Sequence, residues 1–272
     1  MTGIVVVGDI TTEIITATGV PSGARDLPAS ILITGGGSGY NTAGWLAAAG
    51  VDVTLCGVAG DDDTGDIRLA ELEVRGVTCA VRREPAAATG AAIVLAEATL
   101  IDRGANAHLG TDDIDAVLAS ARQAVHLHLC GSALVDEASR PAALHALSAA
   151  AERGLTTSVD AVAAMGPDVL DWVRATDALF ATVDQARVLL ATTESDPTEL
   201  ARALARWCGI AVVQLAEGGA VSYMIGSTEV TAVPGIGPGA SDAFVAGYLA
   251  AWLAGASGRD ALAVGAEMAA LD

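Results

Sequence analysis

The sequence predicts an α/β fold: a central, mostly parallel sheet flanked by helices on both faces, with a small β-lid. Three observations lead there. Short β-branched runs bounded by Gly or Asp alternate with Ala- and Leu-rich stretches of helical periodicity, the pattern of right-handed βαβ units. Hydrophobic residues make up 52% of the chain and aromatic ones only 3%, so the core must consist of small aliphatic layers, as a helix-covered sheet allows. Two stretches, 14–34 and 81–100, hold strand-like pieces and Pro/Gly turns with no helix between them, which favours hairpins projecting from the main sheet. The 272 residues are therefore read as one domain, 1–272, with those two segments as its lid.

In chain order, strands are expected at 4–7, 53–56, 125–129, 157–160, 178–180 and 210–214. Helices are expected at 42–49, 67–75, 111–121, 140–153, 183–190 and 197–207. Within the lid, 30–33 and 91–95 read as strands.

Composition removes several classes of function. A formal charge of −19 repels a nucleic-acid backbone, so no nucleic-acid partner is expected, although a nucleotide can still bind locally through backbone N–H groups. The chain has no lysine, which excludes a P-loop lysine, a Schiff-base lysine and the strand lysine of protein kinases. Cys56, Cys79, Cys130 and Cys208 lie far apart with no C-x-x-C pair and no His at ligand spacing, so buried reduced thiols are expected and a zinc site is not. No apolar run is long enough to cross a bilayer and the first strand has no signal-peptide character, so a cytoplasmic protein without a membrane partner is expected.

Two segments carry candidate chemistry. In the first, Gly35-Gly36-Gly37-Ser38-Gly39-Tyr40-Asn41 follows a strand and opens a helix; its glycines admit close approach of a ligand, and Asn41 offers a donor and an acceptor to a polyol. It lacks the third glycine of a dinucleotide fingerprint and does not follow the first strand, so an NAD-dependent oxidoreductase is not supported. In the second, Gly237-Pro238-Gly239-Ala240-Ser241-Asp242 leads into a helix with Phe244, Val245, Tyr248, Leu249, Trp252 and Leu253 on one face. The N–H groups of such a helix start suit a phosphoryl group, and a carboxylate in the same turn can take a proton from an attacking hydroxyl. In isolation an ordinary N-cap is the favoured reading of that Asp.

Together these segments resemble the PfkB, or ribokinase-like, carbohydrate kinase family. Gly8…Glu13, Gly36-Gly37…Asn41, Gly57…Gly60…Asp62, Arg103-Gly104-Ala105-Asn106 and Gly239-Ala240-Ser241-Asp242 follow the order of that family's motifs over nearly the whole chain. The resemblance implies a ribokinase-like fold whose β-lid closes over the sugar and often supplies a homodimer contact. It implies Glu13, Gly36, Gly37 and Asn41 at the substrate, Asp242 as base, and N–H groups of Gly239, Ala240 and Ser241 in an anion hole. ATP and Mg²⁺ are the implied co-substrate and ion, with Thr182, Gln185, Gln214, Glu217 and Gly219 on the nucleotide side and the metal ligands unassigned.

Departures from the family pattern cluster on that side. Ile236-Gly237-Pro238 stands where the family has Asp-Thr-Thr, so dependence on a monovalent cation is not expected; Thr182-Val183-Asp184-Gln185 stands for N-x-x-E, with Asp184 as a substitute ligand. Asp272 falls in the family's penultimate helix, which places part of an adenine pocket outside the chain. Three readings stay open: a sugar kinase, a nucleoside kinase of the same fold, and a catalytically weak or inactive sugar- or nucleoside-binding homologue with a regulatory role. Outside the motifs, His126 and His128 are expected to divide between core and cleft, and Asp61-Asp62-Asp63 to form a solvated loop and helix cap rather than a metal cluster. Arg25, Arg82 and Arg83 are the lid cations that could point inward.

Overall fold

The computed structural model describes residues 3–16, 26, 28–95, 98–174, 176–227, 230–234 and 240–271. The chain begins with β1 (Gly3–Val7), β2 (Thr11–Ile15), β3 (Leu32–Gly36), α1 (Ser38–Ala48), β4 (Asp52–Gly60) and α2 (Asp63–Val74). There follow β5 (Thr78–Glu84), β6 (Gly90–Val94), β7 (Thr99–Asp102), a 3-10 turn (Gly104–His108) and α3 (Thr111–Ser120). Next come β8 (Ala124–Cys130), α4 (Ser132–Val135), α5 (Arg140–Glu152), β9 (Thr156–Asp160), α6 (Val169–Trp172), β10 (Ala178–Thr182) and α7 (Val183–Leu189). The last part holds α8 (Pro197–Leu204), β11 (Ile210–Gln214), β12 (Gly219–Met224), β13 (Val230–Pro234), α9 (Ser241–Leu253) and α10 (Gly258–Ala269).

Nine strands form the main sheet in the order β13-β12-β11-β10-β9-β8-β1-β4-β5. From β5 to β11 every pair is parallel, and an antiparallel hairpin, β12–β13, finishes one edge. All five residues of β1 are buried, as expected of a strand covered on both faces. Alternation divides its side chains: Val5 and Val7 join the core under α3, α5 and α8, while Ile4 and Val6 join the core under α1, α9 and α10.

A second sheet of four strands, β3-β2-β6-β7, stands off the first. It confirms that hairpins project from the main sheet, but it redraws their bounds. Residues 81–84 belong to β5 and continue the main sheet beside β4, so only 90–94 and 99–102 of the second predicted segment enter the small sheet. Arg82 and Arg83 accordingly do not point inward: Arg82 pairs with Asp113 and Glu84, and Arg83 with Asp66. Arg25 lies outside the described residues.

The first turns of α9 also differ from expectation. Ala243 through Leu249 are all buried, so this part of the helix is enclosed all round rather than amphipathic. Close approach of α10 makes that possible, since a Cβ at Gly247 or Gly265 would press on the facing helix. His126 and His128 are two residues apart on β8 and therefore share one face; both are fully buried, which corrects the expected division between core and cleft. Burial, and after it neighbouring His128, pushes the His126 imidazole down to about 3.

Candidate active site

The parallel strands end along one edge, and the candidate residues gather there, as ligands do in open α/β sheets. Where the chain leaves β1 for β2 it changes sheets. Buried Asn106 holds this crossing like a neighbouring strand, its Oδ1 accepting from the Ile10 N–H and its Nδ2 donating to the Ile10 carbonyl, both at 2.8 Å.

Glycines then bring α1 against this crossing. Gly37, the N-cap of α1, has φ of 89°, a left-handed conformation that favours glycine. A Cβ on Gly36 would overlap the Glu13 carboxylate, and one on Gly39 would overlap the backbone of Gly8. The glycine run therefore serves the protein's own packing, where the sequence suggested room for a ligand. Its consequence is positional: Gly37 N–H donates to Glu13 Oε1 at 3.2 Å, and Asn41 sits in the first turn of α1 beside the start of α9.

Asp242 occupies the first turn of α9, and Asn41 Nδ2 donates to its Oδ2 at 3.0 Å. Ala240 is the extended N-cap and supplies no side-chain cap; Ser241 follows it, exposed. Gly239, along with Ile236, Gly237 and Pro238, lies outside the described residues. A cavity of about 540 Å³ opens in front of these groups, lined by Glu13, Gly37, Asn41 and Asp242 together with Asp9, Arg103 and Asp136. A second cavity, of about 740 Å³, reaches the same carboxylate from the side of Tyr40, Trp45 and Arg75. Burial and then a 2.7 Å hydrogen bond to Glu71 push the Tyr40 hydroxyl up to about 12, so it remains a donor there.

Asp9, Asp136 and the pairing of Arg103 were not foreseen. Arg103 donates Nε and Nη2 to the two oxygens of Asp9 at 2.9 and 2.7 Å, a bidentate pair. Its Nη1 reaches Ser139 Oγ and Asp136 Oδ2, each at 2.9 Å, and Nη2 also reaches the Asn106 carbonyl at 3.5 Å. All five N–H groups are thus directed at protein acceptors. Burial opposes the charge of Arg103, but the paired carboxylates outweigh it and raise the guanidinium above its ordinary value. The available signal was an Asp directly after an apolar strand and an Arg opening a motif; the sequence does not show that they meet.

The residues expected on the nucleotide side gather at the ends of β10 and β11. Thr182 and Gln185 form a capping box on α7: Thr182 Oγ1 accepts from the Gln185 N–H at 3.3 Å, and Gln185 Oε1 accepts from the Thr182 N–H at 2.8 Å. Gln214 pairs in register with Thr182, and its buried Nε2 has no hydrogen-bond partner. Glu217 is exposed on the following turn, and Gly219 opens β12 with φ of 78°. Asp184 does not turn toward this group; its carboxylate is 91% exposed and faces Arg187 at 3.5 Å. Asp62 proves to be the N-cap of α2, accepting from the N–H groups of Gly65 and Thr89 at 2.7 Å, which bears out the cap reading.

A helix-covered parallel sheet, a small second sheet and a carboxylate at a helix start beside the C-terminal strand edge define the ribokinase-like class of α/β kinases. The chain belongs to the pfkB family of carbohydrate kinases, whose pattern matches residues 1–272. It is 33% identical over 232 residues to an ATP-dependent ribose-1-phosphate kinase of Halopiger xanaduensis, covering 81% of this chain and 74% of that protein. Two solved structures share the fold. One is a PfkB protein from Polaromonas sp. JS666, with TM-score 0.82 and 23% identity over 99% of this chain and 95% of that one. The other is an adenosine kinase from Sinorhizobium meliloti, with TM-score 0.85 and 22% identity over 99% and 93%.

Proposed function

We propose that the protein transfers the terminal phosphoryl group of ATP, delivered with Mg²⁺, to a hydroxyl of a small sugar or nucleoside, with Asp242 as general base. The observation that carries this reading is the placement of Asp242: in the first turn of α9, facing the 540 Å³ cavity, with Asn41 steering one of its oxygens. Its carboxylate would take the acceptor's proton while the N–H groups of Gly239, Ala240 and Ser241 hold the transferred group. The cavity is of a size for one ring-shaped ligand. Glu13 and Asn41 would bind its hydroxyls at a wall kept by Gly36 and Gly37.

On the nucleotide side, the free Gln214 Nε2 donor fits a phosphate or base acceptor. Mg²⁺ would keep phosphate oxygens and water as most of its ligands. Lid closure by the small sheet would exclude water and protect ATP from hydrolysis. ATP as donor agrees with a cytoplasmic location, and among the described residues no helix is long and apolar enough to cross a membrane.

Charge selects among acceptors. Asp9, Glu13, Asp136 and Asp242 line the cavity against one described cation, Arg103, whose donors are all engaged. This favours an uncharged sugar or nucleoside over a phosphorylated one, in contrast to the substrate named for the Halopiger relative. A second reading, acceptor binding with little turnover, is favoured by the mutual capping of Thr182 and Gln185, which occupies both side chains. ATP consumption with Mg²⁺ over a panel of sugars and nucleosides decides. The kinase reading expects turnover that falls about 10²- to 10⁴-fold in Asp242→Asn; acceptor binding without any turnover would leave the second.

A further inference from the structure

Behind the cavity, on the α9 side of the sheet, β8 and β9 carry a polar file through an apolar core. His126, His128 and Cys130 alternate along β8 and share one face, and Asp160 ends β9 in register with Cys130. One donor atom each from His128, Cys130 and Asp160 lie within 4.8 Å of one another, and all three residues are buried. The cysteine spacing concealed this group, because the partners stand two residues away and on the next strand.

The hydrogen bonds allow two proton orders along the file. In one, the Thr156 hydroxyl donates to the Val125 carbonyl at 3.3 Å and its oxygen accepts from Nδ1 of His126 at 2.8 Å. Nε2 of that neutral imidazole then accepts from the Ser158 hydroxyl at 2.8 Å. With its single proton so engaged, Ser158 Oγ accepts from Nδ1 of His128, also at 2.8 Å. His128 is left with a lone pair on Nε2, facing Asp160 Oδ1 at 3.6 Å, and Nε2 has no hydrogen-bond partner. Reversing every proton in the file would put an N–H on Nε2, but 3.6 Å is beyond hydrogen-bond reach, so that order leaves the atom unsatisfied too.

We infer that His128 Nε2, Cys130 Sγ and a carboxylate oxygen of Asp160 form a binding site for one Zn²⁺ ion. The mixed N, S and O donors suit a borderline divalent metal and not Mg²⁺ or Ca²⁺. Two metal–donor bonds of about 2.0–2.2 Å bridge a gap such as that between Nε2 and Oδ1. Outer partners are in place: Ser158 orients His128 through Nδ1, and Gly131 N–H donates to Asp160 Oδ1 at 3.0 Å. Cys130 binds as the thiolate and releases its proton on binding. The ion ties the end of β8 to the end of β9, where the chain departs into the cavity wall at Ser132, Asp136 and Ala163. The site uses none of the residues of the kinase reading, although Cys130 lies within electrostatic reach of Asp242 and Asp9.

The test is metal content of the full-length protein prepared with Zn²⁺ and passed through gel filtration, with Co²⁺ loading and zinc X-ray absorption in parallel. The expected result is about one ion per chain, a thiolate-to-cobalt charge-transfer band, and one sulfur among otherwise N/O neighbours. Cys130→Ala should lose the band and most of the metal. Protein that holds no stoichiometric metal, or a Cys130→Ala variant that keeps it, overturns the site. If that variant does not fold, a zinc shell without one sulfur in the unmodified protein overturns it instead.

Discussion

Arg103 shows how a residue's function depends on what already holds it. A guanidinium lining a cavity would ordinarily invite a phosphate, yet this one is held by Asp9 and Asp136 and braced by Ser139. Replacing Asp136 with Asn removes a negative charge 2.9 Å from Nη1 and loosens one of those engagements. Calorimetric titration should then show ribose 1-phosphate binding about tenfold more tightly than to the unmodified protein, roughly 1.4 kcal/mol, with little change for unphosphorylated ribose. An unchanged ratio would mean that Arg103 remains framework whatever surrounds it. On the proposed mechanism turnover needs the other side of the cavity, where Asp242→Asn keeps the shape and the Asn41 neighbour but would remove the proton acceptor. Acceptor-induced stabilisation should therefore survive in that variant while phosphorylation does not.

At the level of elements, the capping box on α7 permits a sharp test. Thr182→Ala removes the acceptor for the Gln185 N–H, and chemical denaturation should register a loss of about 0.5–2 kcal/mol, whereas Gln185→Glu should be nearly neutral because Glu completes the same box. Most helices and parallel strands were legible because their apolar periodicity is local, although β5 was read as lid and α10 was not marked. Two further features were not. The start of α1 lies in a glycine-rich stretch of poor helix propensity, and its first turn is held by contacts distant in sequence, Gly39 against Gly8 and the Tyr40 N–H donating to the Asp9 carbonyl at 3.1 Å. The β12–β13 hairpin escaped because its strands are short and follow a turn, and because its pairing with β11 is antiparallel against the trend of the sheet. The cavity-lining residues Glu13, Gly37 and Asn41 were singled out through their order along the chain, but Asp9 and Arg103 meet across 94 residues and no local pattern reports that.

Two expectations concern the molecule as a whole. The small sheet exposes Ile31 and Ile33 at 60% and 63% on and beside its β3 edge, and Leu100 is also open on β7. Such a cluster fits a second copy of the chain, so sedimentation should report a dimer, and Ile33→Asp should shift it toward monomer. Acid sensitivity follows from the core. Buried His126 stays neutral down to about 3, while in the unfolded chain it takes up a proton near its ordinary 6.5. Between those values the unfolded state binds more protons, so the stabilisation is complete above about pH 6.5 and is lost as pH falls toward 3, with a slope approaching 1.4 kcal/mol per pH unit. Asp62, whose carboxyl is held low by Thr89 and Gly65, adds a loss of the same sign, but only once the pH nears the carboxylate range. Urea unfolding at pH 7, 6 and 5 isolates the histidine: stability should already decline across this interval. His126→Gln, which cannot titrate, should flatten the decline, even if its absolute stability is lower. A slope unchanged by that substitution would place the acid sensitivity elsewhere.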